Sequence, residues 1–188
     1  MTGPNIVQFP AREKSAAPST PEYAELVAAT NFSFLRGAST AQDMVLSAVL
    51  LGYKGLGIAD RNTVAGVVRA WAALNYIRDE GYPAPKKVRE GGSPGEFSWQ
   101  EHPDIRKLPD AATLKEMAKT FRLVVGARLV FIDGTPDIIV YPQNKAGWGN
   151  LCRMLSVGNQ RAAPGKKRAV KGECRLMLTD LIAYAEHL

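Results

Sequence analysis

Two kinds of side chain that build metal centres are almost missing from this 188-residue chain: it has two cysteines, Cys152 and Cys174, and two histidines, His102 and His187. Two cysteines do not make a disulfide framework, and Cys152, inside the apolar run LCRML, reads as a small core residue. A structural zinc site needs about four converging ligands, and no histidine lies near a cysteine in sequence. No apolar run approaches the ~18 residues of a membrane helix. The opening stretch MTGPNIVQFPAREKSAAPSTP lacks the apolar core of a signal peptide, so a cytoplasmic location and no membrane partner are expected. Gly147 and Gly149 do not directly follow a strand, so they form no nucleotide-binding fingerprint.

What is present is a basic, apolar-rich chain. Apolar residues make up 46%, and 24 basic against 18 acidic side chains give a net charge of +6. That charge biases the chain mildly toward phosphate-bearing partners, as it does many domains with no such role. Residues 1–20 read as a flexible lead-in, and 21–188 as the folded part. Tyr23–Ala29 suits a buried strand. Ser39 suits an N-cap, with Gln42 completing a capping box. Met44, Val45, Ala48, Val49 and Leu51 form a helical stripe that Gly52 ends. Gly55–Ala59 is a second buried strand, leading through Asp60–Thr63 into a helix whose Val64, Val67, Val68, Trp71, Leu74 and Ile77 share one face. This strand–helix alternation predicts a parallel sheet with right-handed crossovers.

Residues 81–110, rich in Pro, Gly and charge, read as a surface insertion that Phe97 and Trp99 anchor to the fold. Asp110 then caps a helix through Thr120. Phe121–Val125 and Arg128–Ile132 are extended, Asp133–Pro136 is a turn and Asp137–Tyr141 returns as a strand. A helix spans Asn144–Val157 with Trp148, Leu151, Cys152 and Leu155 inward. A basic loop covers Gly158–Glu173, and Thr179 caps a last helix. Trp71 and Trp148 are both expected in the core.

In α/β folds, sites form at the C-terminal ends of the strands. The residues there, YAELVAATNFSFLRGAS followed by LGYKGLGIADRNTVAGVVRA, resemble the opening of a PHP (polymerase and histidinol phosphatase) domain. The resemblance is to the bacterial DNA polymerase III alpha family, in particular its error-prone branch. VVGARLVFIDG, YPQNKAGWGNLCRMLSVGNQRA and KGECRLMLTDLIAYAEHL continue it in order, and residues 81–110 carry none of it. It implies a PHP-like partial (β/α) barrel with mostly parallel strands and a β-hairpin.

It also implies positions where metal ligands stand in other members. A His-x-His pair corresponds here to Val27 and Ala29, Asp-His to Asp60–Arg61, a later glutamate to Arg128, and an acidic residue before a glycine to Arg36. Valine and alanine cannot ligate, and arginine stays protonated and repels a cation. The resemblance therefore implies a degenerate site with no catalytic residue, no bound metal and no cofactor, Asp60 being the one residual ligand type. Asp60 itself reads first as a helix cap or a partner for Arg36 or Arg61, and second as a surviving acid. Arg36, Arg61 and Arg128, at three strand ends, are expected to converge and to hold a phosphate or a carboxylate.

The loop bearing Arg161, Lys166, Lys167, Arg168 and Lys171 has two readings, a solvated charge run and a contact for DNA phosphates. No paired aromatics flank it, so it offers no base-stacking platform. Three functions remain open on sequence. The first is the N-terminal module of an error-prone polymerase (DNA synthesis, lesion bypass), without the palm acids that polymerise and partnered by the rest of the polymerase, other lesion-bypass proteins or DNA. The second is a stand-alone PHP phosphoesterase or exonuclease, and the third a non-catalytic DNA-binding fragment. With three or four strands where a closed barrel of this kind has seven or eight, and a last helix meeting the chain end, a fragment is expected.

Overall fold

The computed structural model describes residues 22–81 and 109–188. The flexible lead-in at 1–20, nearly all of the insertion at 81–110 and the Phe97 and Trp99 anchors fall outside the described residues.

Four strands form one sheet in sequential order: β1 (Ala24–Ala28), β2 (Gly55–Arg61), β3 (Arg122–Leu129) and β4 (Ile138–Val140). β1, β2 and β3 run parallel, and β3 and β4 form an antiparallel hairpin. The sheet curls as a partial β/α barrel, the expected class. Beyond β3, Phe131 forms one further parallel bridge with Leu176.

Helices α1 (Ala41–Leu50), α2 (Val67–Glu80) and α3 (Ala111–Thr120) pack around a core that includes Val45, Val49, Leu56, Ile58, Leu74, Ile77, Leu114 and Phe121. A second core joins Ala127, Leu129 and Val140 to Leu151, Met154 and Leu155 of α4 (Lys145–Gln160), with Leu181 and Tyr184 of α5 (Leu178–Tyr184) packed against it. Among the described residues no helix is long and apolar enough to cross a membrane.

Several local expectations shift. The strand expected to be buried at Tyr23–Ala29 lies at the edge of the sheet among the described residues, and Leu26 is 50% and Val27 40% exposed. α1 is capped one residue later than expected, by Thr40, whose Oγ1 accepts from the Asp43 amide at 3.2 Å. Gly52 does end that helix, at φ 72°. The extended region expected over 121–125 and 128–132 contains one continuous strand, β3, from Arg122 to Leu129. Asp110 caps α3 as expected. α5 starts earlier than Thr179: Asp180 accepts from the Met177 amide at 2.8 Å and Asp133 from the Leu178 amide at 2.7 Å.

Trp71 is not core. The stripe of α2 that packs inward is Val67, Ala70, Leu74 and Ile77, at helical spacing, and this rotation leaves Trp71 60% and Val68 68% exposed. With Val67, Val125 and half-buried Trp148 they line an apolar hollow of about 230 Å³. Cys152 is likewise half-buried rather than core.

Candidate functional site

The parallel register places the site. Along β2, Leu56 and Ile58 enter the core under the helices, so by strand alternation Gly57, Ala59 and Arg61 lie on the opposite face. Ala59 pairs with Gly126, and Arg61 with Arg128. The two arginines are therefore side by side on one face, on strands about 4.8 Å apart. Arg36 arrives from the loop after β1. Ala29, Ser33, Arg36, Ala59, Arg61 and Arg128 line one cavity of about 320 Å³ at the C-terminal ends of the parallel strands. Arg36, Arg61 and Arg128, expected to converge, all line this one cavity.

Three of the four degenerate ligand positions, Ala29, Arg61 and Arg128, share this cavity. Val27 does not line it. Among the described residues the ion-pair partner of Arg128 is Asp137, at a long 3.8 Å. Among the described residues no group of three His, Cys, Asp or Glu side chains is arranged to hold a metal ion.

Asp60 is turned away from the cavity and is fully buried. Its Oδ1 accepts from the Thr30 amide at 2.7 Å and from the Ser33 hydroxyl at 2.6 Å, and its Oδ2 from the Thr30 hydroxyl at 2.7 Å. Of the two sequence readings, helix cap or ion-pair partner and surviving acid, neither describes it: these contacts tie the loop after β1 to the end of β2. Ser33 continues the chain of bonds, its Oγ accepting from the Arg61 amide at 3.0 Å. Gly66 is required beside it, since a Cβ there would stand 2.8 Å from Asp60 Oδ2 and 3.0 Å from Thr30 Oγ1.

Sequence reasoning missed Asn62, whose left-handed φ of 50° suits asparagine. Its side chain accepts from the Val130 amide at 2.8 Å and donates to the Val130 carbonyl at 2.9 Å, joining the ends of β2 and β3. A polar residue following a buried strand was the available signal.

A wider hollow of about 980 Å³ adjoins, sharing Arg36 and Arg61 and lined also by Phe32, Phe34, Ile132 and Arg175. Phe34 and Leu35 form its exposed lip, Leu35 at φ 60°. Arg175 brings a third cation to it, with Nε buried and without a hydrogen-bond partner.

The basic loop divides. Arg161 is committed inward: its guanidinium grips Asp180 through two bonds of 2.6 and 2.7 Å. The arginine holds the Asp180 carboxyl below the usual range. Lys166, Lys167, Arg168 and Lys171 are exposed. Cys174, near this pair, has its thiol pushed up to about 11 by burial.

No protein-family model matches the chain. Curated relatives do. Error-prone DNA polymerase 1 of Rhizobium meliloti is 43% identical over 88% of the chain, which corresponds to 10% of that protein. Error-prone DNA polymerases of Rhodopseudomonas palustris and Brucella abortus are 41% and 43% identical over 89% and 87% of the chain, each over 11% of their own length. The chain thus spans about a tenth of the curated relatives it matches.

Proposed function

We infer that this chain, homologous over most of its length to a segment of the error-prone DNA polymerases, is the PHP-like N-terminal module of such a polymerase, serving DNA synthesis across lesions and DNA repair as a non-catalytic support. The observation that carries the reading is the 43% identity over 88% of the chain against a tenth of the relative's length. Two features support it. The strand-end cavity is lined by alanine and arginine where a hydrolase would converge metal ligands. Val68, Trp71 and Ile182, each at least 60% exposed, are large apolar side chains of the kind that further protein covers. In this reading the remainder of the polymerase supplies the metal-bound acids that polymerise and is the first partner, with DNA and other lesion-bypass proteins beyond it. The cytoplasm is the expected place of action.

A chimaera tests it. The matching segment of the Rhizobium meliloti polymerase is replaced by this chain, and primer extension is compared with the parent and with a deletion of the segment. The reading expects the chimaera to be soluble and to extend primers, the deletion to fail, and the 188-residue chain alone to incorporate nothing. Hydrolysis of nitrophenyl phosphate or of a single-stranded oligonucleotide by the chain alone with manganese would overturn it in favour of a stand-alone phosphoesterase.

A further inference from the structure

Arg61 and Arg128 are register partners on adjacent parallel strands. Like charges at directly paired positions destabilise a sheet. Arg36 adds a third cation to the same cavity wall. Among the described residues no acidic side chain lines that cavity, and the carboxylate that immediately precedes Arg61, Asp60, is buried and bonded to Thr30 and Ser33 instead. Among the described residues Asp137 pairs with Arg128 alone, and at 3.8 Å. The Ser33 hydroxyl donates to Asp60 and accepts from the Arg61 amide, so the arginines are the donors facing the space.

We propose that the cavity formed by Arg36, Arg61 and Arg128 is a binding site for a phosphate group, either free inorganic phosphate or the terminal phosphate of a nucleotide strand. Three forked donors, two from the ends of β2 and β3 and one from the loop after β1, suit a group with three or four equivalent oxygens. A carboxylate has only two, and a single arginine satisfies both. The volume of about 320 Å³ admits such a group with some of its water. Bound phosphate relieves the repulsion between Arg61 and Arg128, so binding and strand-end stability are linked. The adjoining hollow, which shares Arg36 and Arg61, leaves room for a nucleoside attached to that phosphate. The inference concerns what the cavity holds and stands apart from the polymerase reading. A chimaera that polymerises says nothing about phosphate, and phosphate binding says nothing about polymerisation.

The test is calorimetric titration of the full chain at low ionic strength. Inorganic phosphate forms one arm, and a short oligonucleotide with and without a 5′-phosphate the other. One site is expected. R61A and R128A should each weaken binding about threefold or more, and the double variant more than tenfold. R61K, which keeps the charge but loses the fork, should fall between wild type and R61A. D137N should tighten binding about twofold, because it frees Arg128, a gain that general damage to the fold does not produce. Tighter binding of the phosphorylated oligonucleotide assigns the strand terminus as ligand, and equal binding of inorganic phosphate assigns the free ion. Absence of binding at about 10 mM phosphate, a concentration below which a three-arginine site should begin to fill, overturns the proposal. Binding unchanged in the double variant but lost when Lys166, Lys167, Arg168 and Lys171 are neutralised also overturns it.

Discussion

Replacing Asp60 with alanine is expected to destabilise the fold by about 3–5 kcal/mol. The carboxylate is fully buried and accepts three hydrogen bonds of 2.6–2.7 Å, from the Thr30 amide and from the Thr30 and Ser33 hydroxyls. A bond to a charged acceptor contributes about 1.5–3 kcal/mol. The three do not add fully, because the two hydroxyls can turn to other acceptors while the amide is fixed. With a urea dependence of about 2 kcal/mol per molar for a domain of this size, the unfolding midpoint should fall by about 1.5–2.5 M. D60N keeps the shape and one acceptor oxygen, and it should cost only about 1–2 kcal/mol. Equilibrium urea unfolding followed by far-UV circular dichroism reads both variants. A D60A midpoint corresponding to a loss under about 0.5 kcal/mol would refute the structural role and return Asp60 to the list of functional acids.

Three further outcomes follow from the same geometry. Asp180, held below the usual carboxyl range chiefly by Arg161, contributes stability that is complete above the ordinary carboxyl value near pH 4 and is lost as pH falls through its lower folded value. D180N should therefore flatten the acid limb of the stability–pH curve and cost about 1–3 kcal/mol at neutral pH, and an unchanged limb would contradict the pairing. With its thiol near 11, Cys174 should be only about a thousandth ionised at pH 8 and should react with a disulfide reagent far more slowly than a free cysteine until urea unfolds the chain. If Lys166, Lys167, Arg168 and Lys171 contact DNA, neutralising about 4 phosphates gives a log–log salt slope of about −3 to −4, and affinity independent of salt would identify a merely solvated loop.

Much of the frame was legible because it rests on local chemistry. Asp110 and Gly52 mark helix ends by their own side-chain or backbone properties, and the short apolar runs around Ile58 and Val125 have strand length. Edge and centre were not legible: Tyr23–Ala29 reads like Gly55–Ala59, yet among the described residues only the second has strands on both sides. Nor was the rotation of α2, since Val68 and Trp71 continue the apolar stripe as well as Ala70 and Ala73 do, and it is the alanines that are buried. At the site, the convergence of Arg36, Arg61 and Arg128 followed from placing each at a strand end. The fate of Asp60 did not. Alternation along β2 puts it behind Arg61, where Thr30 and Ser33, distant in sequence, absorb its charge. Arg161 was assigned to the solvent loop because Asp180, its partner, lies 19 residues away.

The central claim is that the strand ends carry an arginine-lined, non-catalytic pocket where a metal-dependent hydrolase would carry its ions. Elemental analysis of the full chain after exposure to manganese, zinc and iron and removal of unbound metal tests it most directly. The account predicts well under one ion of any of the three per chain, with wild type and R61A/R128A alike. One or more ions per chain, retained through gel filtration and lost in D60N, would contradict it.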